Sequence, residues 1–421
     1  MLLSRLLSQL IPPGGDARRL SLISMLYAVG SGAFAAVSVV FFTQAIGLSA
    51  AQVGLGLSAA AVTTLVLTIP LGKLADRFGG VRVWLVGTVA EACAYALYPA
   101  ISGVATFVAV VVAVALAENL GTAGRQAYTA AAFAPAERVR VMAYARTASN
   151  VGFTGGAMLA GIALALGDRT GYYAMPISTA LILALAAVMM LSLPRAAHQA
   201  PAAAPRKAVG AVRDLGYMAM SGVSGVLYSH VTLLGVVFPL WVIDRTDAPD
   251  AAVAWLLALN TVLAVALQVV ASHGAENAAG AAKAQRYGGF ALVAMCGVLA
   301  VTAVTSGWTT LALLAVAMLL LTLGELWQSA GAWGLSVALA PDERRGEYLS
   351  AFRLGGQVQG IVAPAAMSAL VVGFGVAGWS GLAAVYLAAA LVITPVTRWA
   401  QRRRPELVEH ATAEQPVLAN V

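Results

Sequence analysis

Charge is what this sequence has least of. Lys, Arg, Asp and Glu make up 10% of its 421 residues, against about 25% in an ordinary soluble protein. With 60% apolar residues and a mean hydropathy of +0.85, that scarcity excludes a soluble globular chain and points to repeated membrane crossing. Cysteine is nearly absent as well. Cys93 and Cys296 both sit inside apolar runs, which argues against a disulfide framework or a cysteine metal site and predicts two small buried hydrophobes. There is no P-loop, dinucleotide fingerprint or zinc-binding helix. The expectation is therefore no enzymatic centre, no cofactor and no metal, with any energy drawn from an ion gradient.

What the sequence does contain is a series of apolar runs, each near the roughly 20 residues that a membrane span needs. In lipid the backbone must satisfy its own hydrogen bonds, so such runs form helices. They predict spans over residues 20–46, 50–71, 83–102, 104–133, 138–166 and 172–193, then 214–243, 251–272, 287–306, 308–340, 344–373 and 376–399. Twelve spans leave both termini on one side. Twenty of the 25 Lys and Arg fall on that side, among them Lys73, Arg77, Arg82, Arg138 and Arg344, while only Arg169 and Arg245 fall opposite. This asymmetry places both termini in the cytoplasm of a cell inner (plasma) membrane protein. The net charge of +7 thus reflects topology and lipid contact, and no nucleic-acid partner is expected.

The organisation follows. Residues 1–19 form an N-terminal segment whose Leu2, Leu3, Leu6, Leu7, Leu10 and Ile11 lie at helical spacing. It lacks a signal-peptide charge order and cleavage site, and a short helix on the inner membrane surface is expected. Residues 20–193 and 214–400 are two sets of six spans. Residues 194–213, rich in Ala, Pro and Arg, are a cytoplasmic linker, and 401–421 a cytoplasmic tail. The run Ala134-Pro135-Ala136-Glu137-Arg138 recurs as Ala340-Pro341-Asp342-Glu343-Arg344. Each copy follows a span with a central carboxylate, Glu118 or Glu325, and precedes a glycine-rich span with an early arginine, Arg146 or Arg353. Duplication of a six-helix unit accounts for this.

Between the second and third spans stands Gly72-Lys73-Leu74-Ala75-Asp76-Arg77-Phe78-Gly79-Gly80-Val81-Arg82, read as a charged hairpin loop in which Gly72 and Gly79 permit a tight reversal. Its Gly-x-x-x-Asp-Arg-x-Gly spacing resembles the loop between the second and third helices of the major facilitator superfamily (MFS) of secondary transporters. Gly80 and Val81 depart from the family's basic ending, and the stretch at 273–286 matches the loop only loosely. The resemblance covers nearly the whole chain. It implies an all-α membrane protein with twelve transmembrane helices in two six-helix bundles around a central cavity, working by alternating access. It also implies that Asp76 meets the start of the eleventh helix near Gly346, as a conformational latch formed with Gly72, Arg77, Gly79, Arg146 and Arg353.

Charges inside a bilayer cost several kcal/mol unless paired or hydrated; this chain keeps Glu91, Glu118, Arg125, Arg146, Glu325 and Arg353. Glu118 and Glu325 lie on the fourth and tenth spans, which line the cavity in the family, and are the leading proton-carrier candidates. Glu91, Arg125 and His230 are further candidates, each with a packing or ion-pair reading beside the functional one. Arg125 either neutralises Glu118 through water or holds an anionic substrate. Depth along the spans permits a Glu91–Arg125 or a Glu118–Arg146 contact. Tyr27, Phe34, Asn260, Trp327, Gln328, Trp333 and Gln357 are candidates for the substrate cavity. In the fifth span Gly152, Gly155, Gly156 and Gly161 either form a close-packing face or resemble the exporters' fifth-helix signature, with Ala157 where that signature has proline.

The function expected from these features is a monomeric, proton-coupled exporter (antiporter) of a small amphipathic or hydrophobic drug-like compound or secondary metabolite. A proton-coupled importer of a nutrient or peptide is the alternative; it requires more charged groups clustered on substrate-facing helices. A non-transporting membrane sensor is a third reading, against which the lack of an appended soluble domain counts.

Overall fold

The structure, a computed structural model, describes residues 14–165, 169–194, 210–249 and 251–403. The N-terminal amphipathic stretch before residue 14, most of the linker and the tail from residue 404 lie outside the described residues. Every regular element described is helical. The chain divides into two compact units, Met1–Ala202 and Ala203–Val421.

In the first unit α1 (Asp16–Val40) continues as a π-turn over Phe41–Ala45, followed by α2 (Ala50–Phe78), α3 (Gly80–Ala96), α4 (Val104–Ala132), α5 (Pro135–Ala165) and α6 (Arg169–Met190). In the second, α7 (Leu215–Arg245) is broken near Ser229 and carries a π-turn over Leu233–Val237. It is followed by α8 (Ala251–Ala271), α9 (Ala278–Val301), α10 (Gly307–Ala338), α11 (Arg345–Phe374) and α12 (Val376–Arg402). Among the described residues nine of these helices are long and apolar enough to cross a membrane, and α1, α5 and α8 complete the two sets of six.

The ends are set by local chemistry. Ser49 and Gln52 form a capping box at α2, and Asp214 and Asn277 accept backbone N–H groups at the starts of α7 and α9, as N-cap residues do. The repeated Ala-Pro-x-Glu-Arg run has a structural job in its first copy. Pro135 opens α5, and the Arg138 Nε donates to the Phe133 carbonyl at the end of α4 at 2.7 Å, where a cation offsets the helix dipole.

The two units share one packing plan. In the first, α1 packs on α5 and α6, α4 on α2 and α3, and α3 on α6. Six helices later α7 packs on α11 and α12, α10 on α8 and α9, and α9 on α12. Glycines make several of these crossings possible. A Cβ on Gly152 or Gly156 would stand 2.2 Å or 2.1 Å from an α1 carbonyl oxygen, of Met25 or Val29. One on Gly355 would stand 2.1 Å from the Ser221 oxygen of α7. Two of the fifth-span glycines, Gly152 and Gly156, therefore have a packing explanation, while a Cβ on Gly155 would meet nothing within 4 Å.

Two expectations need correction. The charged stretch at 72–82 is not an extended loop: α2 runs to Phe78 and α3 starts at Gly80, so the reversal is made by Gly79 alone, at φ 88°. Gly72 lies inside α2, because the apolar helix continues through its charged end. Cys93 is exposed while Cys296 is buried, and both are free thiols; in a membrane helix an outward-facing position is still an apolar one.

Candidate functional site

The intramembrane charges of the first unit lie on α3 (Glu91), α4 (Glu118 and Arg125) and α5 (Arg146). Glu91, on α3, is 2% exposed, and both its carboxylate oxygens accept from the Tyr27 hydroxyl of α1 at 2.9 Å. Of the two pairings that depth allowed, Glu91–Arg125 is not formed; Tyr27 takes that place. Tyr27 lies 64 residues away in sequence, so spacing along one helix could not reveal the contact. Glu118 is exposed and Arg125 half-buried on α4, and Glu118 acts electrostatically on Arg125, Tyr27 and Glu91. The four groups form one electrostatic cluster. Directly behind Glu118, buried Asn119 donates to the Thr68 hydroxyl at 2.8 Å and the Thr64 carbonyl at 3.3 Å, fixing α4 against α2 and with it the direction in which Glu118 projects.

Glu325 is placed differently. It is 8% exposed on α10 and accepts from Asn260 of α8 at 3.3 Å, while the same amide donates to Thr322 at 3.0 Å. Asn260 thus ties α8 to α10 as Asn119 ties α4 to α2, but here the carboxylate belongs to the tie. One turn on, Gln328 is 1% exposed and donates to the Ser224 carbonyl at 3.3 Å, with Gln285 donating to the Ser224 hydroxyl at 2.8 Å. These amides bind α7, α9 and α10 together, an arrangement signalled in sequence only by isolated polar residues within apolar runs.

The remaining candidates separate into packing and partly open positions. Phe34 is 4% exposed and meets Tyr95 and Tyr98 at ring distances of 5.1 Å and 4.8 Å, which makes it core rather than substrate-facing. His230 is 1% exposed, with Nδ1 3.1 Å from the Leu227 carbonyl, at the break in α7. Beside it the Ser229 and Tyr386 hydroxyls meet at 2.6 Å. Trp327 is half-buried against Tyr287 at 6.0 Å. Trp333, Gln357, Arg146 and Arg353 are half-buried. Asp76 is half-buried in the last turn of α2, and Arg77 is exposed over the Phe78 ring at 5.3 Å. Among the described residues no group of His, Cys, Asp and Glu is arranged to hold a metal ion.

No curated protein sequence matches this one significantly, but solved structures share its fold. A bacterial homologue of the iron transporter ferroportin, in an outward-facing state, superposes with a TM-score of 0.73 at 16% identity, over 92% of this chain and 99% of that one. The human organic anion transporter MFSD10 (TETRAN) gives 0.66 at 15% identity, over 90% and 100%. The E. coli fucose:proton symporter FucP gives 0.63 at 13%, over 91% and 98%. At these identities the likeness establishes the fold, not the cargo. The sequence description of the Major Facilitator Superfamily matches residues 20–364. With that match, the twelve helices in two equivalent sets and the all-helical membrane architecture, this chain belongs to the major facilitator superfamily of secondary transporters.

Proposed function

We propose that the protein moves a small amphipathic organic molecule across the cell inner membrane by alternating access coupled to protons, with Glu118 as the proton carrier. One observation carries this reading. Glu118 is the exposed member of a cluster with Arg125, Tyr27 and Glu91, whereas Glu325 is buried and held by Asn260. A carboxylate that carries protons inside a span needs a second charge beside it to make its protonation state matter, and Arg125, on the same helix as Glu118, supplies one.

The same cluster supports inward movement of cargo with protons over export in exchange for them. An importer is expected to cluster polar or charged side chains, and Glu91, Glu118 and Arg125 beside Tyr27 support that reading. Of the fifth-span glycines that suggested export of a drug or metabolite, Gly152 and Gly156 pack on α1, so at those two positions close packing is sufficient reason for glycine. Both termini and Gly79 belong on the cytoplasmic side by the distribution of basic residues, and the working unit is a monomer.

Purified protein in liposomes with an imposed proton gradient, screened over a panel of compounds, tests the reading. Proton-driven accumulation on the side to which protons flow is expected. Depletion there would establish exchange instead, and flux indifferent to the gradient would remove proton coupling. A second test addresses the latch. Loss of one charge-assisted contact at Asp76 is expected to cost roughly 1.5–3 kcal/mol in one conformational state. Asp76→Asn should therefore shift the inward–outward equilibrium, read by accessibility labelling, by about tenfold or more, and an unchanged equilibrium would remove Asp76 from the latch.

A further inference from the structure

Helices α9 and α12 pack on each other, and neither carries an acidic residue anywhere along Ala278–Val301 or Val376–Arg402. Their basic residues gather at the ends lying in the leaflet of the chain termini, cytoplasmic by the distribution of Lys and Arg. Gly289 pins the contact: a Cβ there would stand 2.7 Å from the Ala390 Cβ. The helices run in opposite directions, so Arg398, eight residues past Ala390, comes level with Ala281. Lys283 and Arg286 then lie about 3 Å and about 8 Å deeper along the axis. Direction around each helix agrees. On α9, Ala281, Gln285 and Gly288 face α10. On the far side Arg286 follows Gly289 by about 60°, and Lys283 follows by about 60° more. On α12, Tyr386 and Ala400 face α7, and Arg398 falls about 80° beyond Ala390, away from them. The three cations therefore border one outer groove between α9 and α12. Lys283 and Arg398 are exposed and Arg286 is half-buried. Among the described residues none of the three makes an ion pair, and the Arg286 Nε is buried without an acceptor. Lys283 rests over the Tyr287 ring at 5.6 Å, and Trp399 beside Arg398 is exposed, as aromatic residues at headgroup depth are. Deeper in the same groove Phe290, Leu387 and Leu391 are exposed.

We propose that this groove binds the phosphate headgroup of an anionic phospholipid, whose acyl chain runs along Phe290, Leu387 and Leu391. The Arg286 fork and the Lys283 and Arg398 charges take the phosphate oxygens, as basic pockets between membrane helices do. With no carboxylate on either helix, the ammonium group of a zwitterionic lipid finds no partner there. A lipid held in this way ties the ends of α9 and α12 together. It depends neither on the cargo nor on Glu118.

Native mass spectrometry of the full chain, purified in detergent and titrated with defined lipids, tests the proposal. Phosphatidylglycerol should bind about tenfold or more tightly than phosphatidylcholine of the same acyl chains, given three basic residues at the headgroup. Inorganic phosphate at the same concentration should not compete, which separates a lipid from a free anion. Lys283→Gln with Arg398→Gln changes only exposed side chains and should remove most of the preference. Adding Arg286→Gln should abolish it, while Arg286→Lys alone, which keeps the charge, should retain part. A control that removes three exposed charges elsewhere on the same side, Arg18→Gln with Arg140→Gln and Arg213→Gln, should keep the preference. Equal binding of the two lipids, competition by inorganic phosphate, or a control that loses as much preference as the groove variant overturns the proposal.

Discussion

Glu118→Gln is expected to lower proton-driven accumulation of cargo by about 100-fold or more while exchange of cargo across an ungraded membrane continues. The magnitude follows from the part assigned to the residue. General acid–base groups contribute on the order of 100-fold or more to the steps they serve, and a carrier without its titratable group retains only the uncoupled cycle. Glutamine keeps the size and the acceptor oxygen of the side chain, and Glu118 is exposed, so folding should be unaffected. The parallel change Glu325→Gln should leave coupling intact. That side chain is buried, and its bond from Asn260 can be made equally to an amide oxygen. Accumulation measured in liposomes for both variants separates the two halves. Loss of coupling in Glu325→Gln, with Glu118→Gln unaffected, would transfer the proton to the second unit.

The second large effect is structural. Gly80 stands where the family's loop is usually basic, and Gly80→Arg restores that charge. It should instead destabilise the first unit by about 3 kcal/mol or more, the upper range for overpacking. A Cβ at this position would lie 2.4 Å from the Tyr128 backbone nitrogen and 2.8 Å from the Gly124 oxygen, and backbone inside a packed helix pair cannot step aside. Gly80→Ala carries the same Cβ and should already lower the thermal midpoint in detergent, with Gly80→Arg lowering it further. A Gly80→Arg protein as stable as the parent would show that α3 and α4 are less tightly joined than described. The departure from the family pattern thus has a cause within this chain: close approach of α3 to α4 excludes the side chain.

Both predictions show what could be read from one dimension. The spans were legible because each is an apolar run of membrane length, and α4, predicted at 104–133, is found at Val104–Ala132. The duplication was legible in the Ala-Pro-x-Glu-Arg echo and reappears as equivalent helix pairs. Helix ends with charged residues were harder. Lys73, Asp76 and Arg77 suggested a loop, yet they decorate the last turns of α2, since a helix emerging from lipid can carry charge without ending. Contacts between distant helices were not legible at all. Glu91 and Tyr27 meet across 64 residues, and nothing in either span names the other. Nor could the sequence separate Glu118 from Glu325, both carboxylates near the middle of a span. That distinction depends on which way each helix is turned, and the turn is fixed by Asn119 with Thr68 and by Asn260 with Thr322.

The central claim is that cargo and proton move together through Glu118. It is tested most directly by the pH inside liposomes, followed with an internal dye, after the cargo found by screening is added outside at equal starting pH, with protein-free liposomes as the baseline. The account predicts internal acidification with the parent protein and none with Glu118→Gln. Acidification that persists in Glu118→Gln, or alkalinisation in the parent, would contradict it.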